Sequence, residues 1–249
     1  MKKTTLFATA LFSAVTLTGC AGTIDPVTGD RSDPLQGFNR TMWDFNYKVL
    51  DPYMLKPVAK GWKALPSPLT TGLSNVANNL DEPVSFVNRL LEGEGQKAMV
   101  HFNRFIINST FGLGGLIDWA SYSDPLKIEG KRTFGDTLGS YGVEPGTYIV
   151  LPAYNATTTR ELTGAVVDAA YVYPFWDWAG MPWSMAKFGV QMIDQRAKAM
   201  DKEALLEQAT DPYITFREAY YQNLEYRATD GKVKAKGTGL SQDDLNSID

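Results

Sequence analysis

The single cysteine of this 249-residue chain stands at position 20, and its surroundings decide which part of the chain folds. Lys2 and Lys3 precede an apolar stretch from Leu6 to Leu17, and Leu17-Thr18-Gly19-Cys20 closes it with small residues before the thiol. That order of positive charge, apolar run and small-residue cut is a secretory signal. Because it ends on cysteine, it reads as the bacterial lipoprotein form, in which the thiol takes a diacylglyceryl group and the freed amine an N-acyl chain. Residues 1–19 are expected to leave as a signal peptide, with Cys20 as the lipidated N-terminus and no other cofactor. Lipidation also removes an unpaired thiol, which would be a liability in an oxidising compartment. Acyl chains contribute roughly 0.8 kcal/mol per buried methylene, so more than one gives stable anchoring. No apolar run beyond the signal approaches the roughly 20 residues of a transmembrane helix. Ala21 follows the cysteine in place of the aspartate that retains many lipoproteins at the inner membrane. Outer-membrane delivery is the expectation.

Three regions follow from punctuation. Residues 20–32 are small, polar and turn-rich, a tether; residues 33–228 carry the apolar patterning of one mainly α domain; residues 229–249 are polar and glycine-punctuated, a mobile tail. Asp33-Pro34 offers a capping carboxylate before a first-turn proline, and Leu35, Phe38, Met42, Phe45 and Val49 recur at helical spacing as one apolar face. Asp51-Pro52 restarts the chain, and Leu65-Pro66-Ser67-Pro68 forces a loop. Pro83 opens a helix with Val84, Val87, Leu90 and Leu91 inward and Gly93 as its stop. The next runs from about Glu94 to Thr110, with Ala98, Phe102, Phe105 and Ile106 as its stripe. Met99, Val100 and Ile107 add apolar surface outside that stripe, so the helix is buried or faces lipid. Only Thr147 to Leu151 reads as a strand. Further helices are expected over Thr158–Tyr171, Pro182–Met200 and Pro212–Tyr226, the last with Tyr213, Phe216, Tyr220 and Leu224 on one face.

Catalytic and metal sites announce themselves with His, Cys or clustered carboxylates at definite spacing. The chain has one histidine, His101, placed in an apolar helix, where a hydrogen-bonded structural role is expected. No metal site, serine triad or nucleophile elbow can be assembled, so no enzyme is expected. Gly112-Leu113-Gly114-Gly115 lacks the lysine and flanking strand of a phosphate loop and reads as close backbone packing. Asp81, Glu82, Asp118 and Asp136 read as caps or solvated faces. Without Lys2 and Lys3, the 24 basic residues fall to 22 against 28 acidic ones, a balance that gives nucleic-acid binding no support. Tyr171, Tyr173, Trp176, Trp178 and Trp183 crowd one short stretch, as interfacial rings do at a bilayer surface; packing in a core or loop is the competing explanation.

Four runs occur in order: Asp33-Pro34-Leu35-Gln36-Gly37-Phe38-Asn39-Arg40, Leu55-Lys56-Pro57-Val58-Ala59, Asn79-Leu80-Asp81-Glu82-Pro83 and Arg104-Phe105-Ile106-Ile107-Asn108-Ser109-Thr110. Phe134-Gly135, Leu138-Gly139-Ser140-Tyr141-Gly142-Val143, Leu151-Pro152 and Asp211-Pro212-Tyr213-Ile214 with Arg217-Glu218-Ala219-Tyr220 continue them. Together they resemble the MlaA, or VacJ, lipoproteins over nearly the whole chain after Cys20. Thr147, Asn155-Ala156 and Glu161 depart from the usual pattern of that family.

The resemblance implies a single ring-shaped helical domain in the inner leaflet of the Gram-negative outer membrane, with a central amphipathic channel and at most a short strand or hairpin. It implies removal of mislocalised phospholipids from the outer leaflet and delivery to the periplasmic carrier MlaC. It also implies attachment to a trimeric porin of the OmpC or OmpF type, with no nucleic-acid partner and no bound metal. The alternative is a lipid-anchored scaffold that positions porin and carrier without conducting lipid. By the same resemblance, Gly139, Gly142, Glu144 and Gly146 would line or gate the channel, and Asp44, Phe45 and Asn46 would set the other side of the gate. Cys20→Ala is expected to yield a chain that takes up no labelled palmitate and does not reach the outer membrane. Label recovered on the variant after metabolic labelling would refute lipidation at Cys20.

Overall fold

Helices follow one another around a single small hairpin, and the computed structural model describes residues 31–128, 130–176 and 180–232. The signal, Cys20 and most of the tether lie outside the described residues. So does the stretch from 233 onward, and so do the side chains from Tyr171 to Trp183.

The first helical run begins at α1, Gln36–Asp44, passes into a π-helical segment, Phe45–Leu55, and continues as α2, Lys56–Ala64. The expected restart at Asp51-Pro52 does not occur. Proline has no N–H to donate, and in α geometry its ring meets the carbonyl four residues back. The wider π turn accommodates Pro52 without ending the helix. Nor do Pro66 and Pro68 make only a loop, since Pro68 lies in the first turn of α3, Ser67–Asn79. That helix escapes sequence reading because Ser, Thr, Asn and Gly are weak helix formers.

Pro83 lies in the first turn of α4, Glu82–Leu91, and Gly93 follows its end in the left-handed conformation, as the pattern predicts. Next comes α5, Gly95–Thr110, and then a tight glycine corner. A Cβ on Gly112 would stand 2.1 Å from the Ile117 carbonyl oxygen, and one on Gly115 would stand 2.8 Å from Asn79 Cβ. The close packing expected there is present. Two 3-10 turns, Trp119–Tyr122 and Asp124–Leu126, lead to α6, Phe134–Ser140, which opens on a capping box between Thr133 and Asp136.

The expected strand is β1, Tyr148–Leu151, and it pairs antiparallel with β2, Asn155–Thr158, in the register Tyr148 to Thr158 through Leu151 to Asn155. Helices α7, Thr159–Trp176, and α8, Gly180–Ala199, follow, then a short α9, Glu203–Glu207, and α10, Pro212–Ala228. Asp211 caps α10 by accepting from the Ile214 N–H at 3.1 Å.

The hairpin is where the chain converges. Trp43, Tyr148, Val150, Tyr213, Tyr221 and Leu224 form the buried apolar cluster against it. The helix from residue 36 docks on the hairpin through two asparagines seven positions apart, which places both on one face. Asn39 donates to the Tyr148 carbonyl at 3.0 Å and accepts from the Val150 N–H at 2.9 Å. Asn46 does the same two turns later, donating to the Leu151 carbonyl at 2.8 Å and accepting from the Ala153 N–H at 3.0 Å. Asp33 does not cap α1 with its side chain. It accepts instead from Asn39 at 3.0 Å, from the Tyr213 hydroxyl and from Arg217 at 3.3 Å, while Arg40 reaches Asp211 at 2.7 Å. The first and last motifs of the sequence thus close on each other. Asn39→Leu leaves a buried carbonyl and a buried N–H without partners, and about 2–4 kcal/mol of stability should be lost. Denaturant unfolding of the detergent-solubilised protein measures it.

Candidate functional site: a polar interior behind outward apolar faces

Each middle helix carries two stripes, and the structure turns the polar one inward. On α4 the buried residues are Glu82, Ser85 and Asn88, whereas Leu90 and Leu91 are exposed. On α5 the buried residues are Ala98, His101, Arg104 and Asn108, and Met99, Phe102 and Ile106 face out. On α3, Ser74, Ala77 and Asn79 are buried while Leu69 and Leu73 are exposed. The sequence pattern expects the apolar stripe of α4 inward and that of α5 either buried or facing lipid. The expectation for α4 is corrected at Leu90 and Leu91, because spacing identifies a face but not its direction, while on α5 Phe102 and Ile106 are exposed. The first helix behaves alike, with Leu35, Phe38, Phe45 and Val49 all exposed. Outward apolar surface peaks at the π segment and the glycine corner, where Tyr53 is 81% exposed, Phe111 74% and Leu113 68%. Exposed apolar side chains recurring along one face of successive helices point to a partner or a membrane.

The inward stripes hold ionised groups, and each is matched. Glu82, 4% exposed, accepts from Arg104 Nε at 2.7 Å and lies 2.6 Å from His101 Nδ1. Arg104 also reaches Asp118 at 3.0 Å and the Leu126 carbonyl at 2.9 Å, and Asn108 donates to Asp118 at 2.8 Å. Asp81 takes Lys187 and, at 2.7 Å, Gln191 from α8. Burial pushes its carboxyl upward, but Lys131, Lys187 and the hydrogen bonds from Lys187 and Gln191 outweigh that and hold it below the ordinary carboxylate range. Asp51 is clamped by Arg196 at 2.5 and 2.7 Å.

The reading of Asp81, Glu82, Asp118 and Asp136 as caps or solvated faces therefore needs correction. Asp136 caps α6, and Asp118 accepts from the Ser121 N–H, but Asp81 and Glu82 are members of interior ion pairs. Charges taken out of water must be paired there. His101 is the hydrogen-bonded structural residue expected. Sequence reading missed Asn75, Asn79, Asn108 and Gln191, whose signal was the polar stripe left over when apolar positions were marked.

These groups surround a cleft of about 350 Å³ between α3, α4, α5 and α8, walled chiefly by Asn, Gln, Ser and the Glu82–Arg104–Asp118 chain. Among the described residues no cluster of His, Cys, Asp or Glu has the makings of a metal site, and no helix is long and apolar enough to cross a membrane.

The residues assigned to a gate fall in two places. Gly139 lies inside α6, where a Cβ would come within 2.7 Å of Ala228 Cβ. Gly142, at φ +82°, and Val143 close the end of α6 with backbone bonds to Gly139 and Leu138 at 2.9 and 3.0 Å, a Schellman turn. Glu144 is exposed, and Gly146, at φ +75°, leads into the start of β1. Asp44 pairs with Lys48 at 2.9 Å, Phe45 is exposed, and Asn46 holds the far end of the hairpin. The hairpin is what the two sets share. Tyr171, Tyr173, Trp176, Trp178 and Trp183 lie outside the residues whose side chains are described.

The MlaA lipoprotein family profile matches residues 31–227. The intermembrane phospholipid transport system lipoprotein MlaA of Haemophilus influenzae is 61% identical over 249 residues, covering 99% of this chain and all of the relative. Its Escherichia coli K12 counterpart is 44% identical over 238 residues, 94% of each. A solved structure described as the structural basis for maintenance of bacterial outer membrane lipid asymmetry superposes with a TM-score of 0.74 at 46% identity, covering 80% of this chain and 100% of that one.

The Glu82–Arg104 pair supplies the test of the interior. Glu82→Gln is expected to destabilise by about 3 kcal/mol, because a buried guanidinium loses its charge partner. In the double variant with Arg104→Gln, the two losses should fall short of additive by at least about 1 kcal/mol. Strict additivity in denaturant unfolding would show that the pair is not coupled.

Proposed function

This chain belongs to the MlaA lipoprotein family, and from that premise we propose that it draws mislocalised phospholipids out of the outer leaflet of the outer membrane and passes them to the periplasmic carrier MlaC. The observation that carries the reading is the reversal of faces on α3, α4 and α5, with large apolar side chains outward and ion-paired and amide side chains inward. An apolar belt meets acyl chains without loss, since each covered Leu, Ile or Phe gains roughly 1.5–3 kcal/mol over exposure to water. A polar interior gives a charged headgroup a route that hydrocarbon denies it.

In this reading the helices form a ring in the inner leaflet, anchored by the lipid on Cys20 and seated against a trimeric porin of the OmpC or OmpF type. Transport then needs no covalent chemistry, only differential access for a molecule with one charged end and two apolar tails.

The gate is the hairpin with the elements that meet it. Gly142 and Gly146 hold left-handed turns on its entry side, and Asn46 holds its far end. Removing Asp44 and Phe45 shifts Asn46 by about 200° around the helix at roughly 100° per residue. Its two hydrogen bonds to the hairpin are then lost and the gate is biased open. A bulky residue at Gly142 strains the turn and locks the gate.

The experiment expresses porin-bound Gly142→Leu and the Asp44-Phe45 deletion in cells lacking the native protein and measures outer-leaflet phospholipid. Gly142→Leu should fail to clear lipid, and the deletion should raise outer-leaflet lipid above the level of cells with no protein. Clearance by both at the wild-type level would reject the gate and favour a scaffold that positions porin and carrier without conducting lipid.

A further inference from the structure

A second cleft, of about 660 Å³, adjoins the first, bounded by the end of α4, the buried side of α5, residues 127, 128 and 130–132, and the end of α10. Its size is that of an ordinary small-ligand site. The charge of its wall is not ordinary. Arg89, Lys97, Lys127, Lys131, Arg132, Arg227 and Lys232 line it, and Asp230 is the single carboxylate among the described lining residues. The other described carboxylates that partner these cations, Asp81, Glu92, Glu94, Asp124, Asp136 and Glu161, do not line the cleft.

Pairing leaves positive charge over only at the lysines of the rim. Arg89, Lys97 and Arg132 are matched by three carboxylates, with Asp230 taking Arg89 at 2.7 Å and Lys97, Glu94 taking Lys97 at 3.4 Å, and Glu92 taking Arg89 at 3.1 Å and Arg132 at 2.6 Å. Lys131 stands 3.7 Å from Asp81, a carboxylate already engaged by Lys187. Lys232 is in no ion pair among the described residues. The guanidiniums of Arg89 and Arg132 are nearly buried and fixed by their carboxylates, while Lys131 and Lys232 are exposed. A rigid guanidinium floor under movable ammonium groups suits a phosphate oxygen set better than a lone carboxylate. Ile128, Gly130 and Lys131 line both clefts, so Lys131 stands on the boundary between them.

We propose that this basic cleft binds a phosphodiester group, that of a glycerophospholipid headgroup arriving from the polar cleft past Lys131. The assignment rests on the transport reading above for the source of the ligand. Recognition is by phosphate, which every glycerophospholipid carries, so the cleft accepts headgroups of different kinds. Free inorganic phosphate has the same chemistry without the tails.

The test uses full-length lipidated protein in a phosphate-free detergent, titrated calorimetrically with dihexanoyl phosphatidylglycerol, with dihexanoylglycerol and with inorganic phosphate. The phospholipid should bind about tenfold or more tightly than the diacylglycerol, and added salt should weaken it. The double variant Lys131→Gln/Lys232→Gln should lose severalfold in affinity, while Lys198→Gln, an exposed lysine elsewhere, should match the wild type. If the double variant melts early, Lys232→Gln alone serves.

Inorganic phosphate binding as tightly as the phospholipid, with the same sensitivity to the double variant, would support the phosphate site and assign its source to the free ion. Equal affinity for phospholipid and diacylglycerol, or full affinity in a folded double variant, would overturn the proposal. A cell assay keeps this failure distinct from that of the transport reading. Double-variant cells that clear outer-leaflet lipid normally, where cells without the protein do not, would reject the phosphate site alone. Normal clearance by cells without the protein would reject transport.

Discussion

Between the middle helices, paired charges occupy the place where a soluble domain keeps its oil, and the meeting of α4 with α5 depends on them. Glu82, at the start of α4, holds both Arg104 and His101 from α5, and Arg104 passes the connection to Asp118 and the Leu126 carbonyl. An unpaired carboxylate or guanidinium at that depth is severely destabilising, so the helices must meet at the spacing that completes the pairs. Apolar burial cannot set that spacing, because the large aliphatic side chains of the same helices point away. The hydrophobic effect acts at two other locations. One is the aromatic cluster around the hairpin, and the other is the outer surface, where stabilisation requires a nonaqueous neighbour.

This arrangement explains which parts of the structure were legible in the sequence. Proline and glycine punctuation located most helix starts and stops, since those residues act through backbone sterics that hold in any surroundings. Pro83 and Gly93 bracket α4 as expected, and Pro212 opens α10. Pro52 misled because a π turn absorbs it, and α3 was missed because its residues favour helix only weakly. Burial direction was the larger failure. Val84, Val87, Leu90 and Leu91 trace a face as clearly as any soluble amphipathic helix, and periodicity says nothing about what lies on either side of it. The buried set Glu82, Ser85 and Asn88 is equally periodic, and of it only Glu82 stands out in the sequence, as a cap or solvated carboxylate.

The site was less legible than the fold for a related reason. Its asparagines and glutamines have no distinctive spacing, and their importance comes from contacts across the chain, such as Asn75 to the Leu116 carbonyl and Gln191 to Asp81. Motif runs did better. Asp33, Asn39 and Arg40 near the start, and Asp211, Tyr213 and Arg217 near the end, were noticed as family signatures. In space they are one hydrogen-bonded junction beside β1. The glycines after α6 entered only through the family resemblance, as gate residues, and their left-handed torsions show turns.

That junction joins residues 180 and 184 positions apart, Asp33 to Tyr213 and to Arg217. Ordering so long a loop is entropically expensive before any contact rewards it, and folds rich in such pairings assemble slowly. A chain synthesised from its N-terminus has its first partner ready long before the last helix exists. During that interval Asp33 and Arg40 lack their mates, and Leu35, Phe38, Phe45 and Val49 are open to any other apolar surface. Partly assembled chains of this kind aggregate. A truncation ahead of Asp211 is therefore expected to leave a sticky intermediate instead of a smaller working domain.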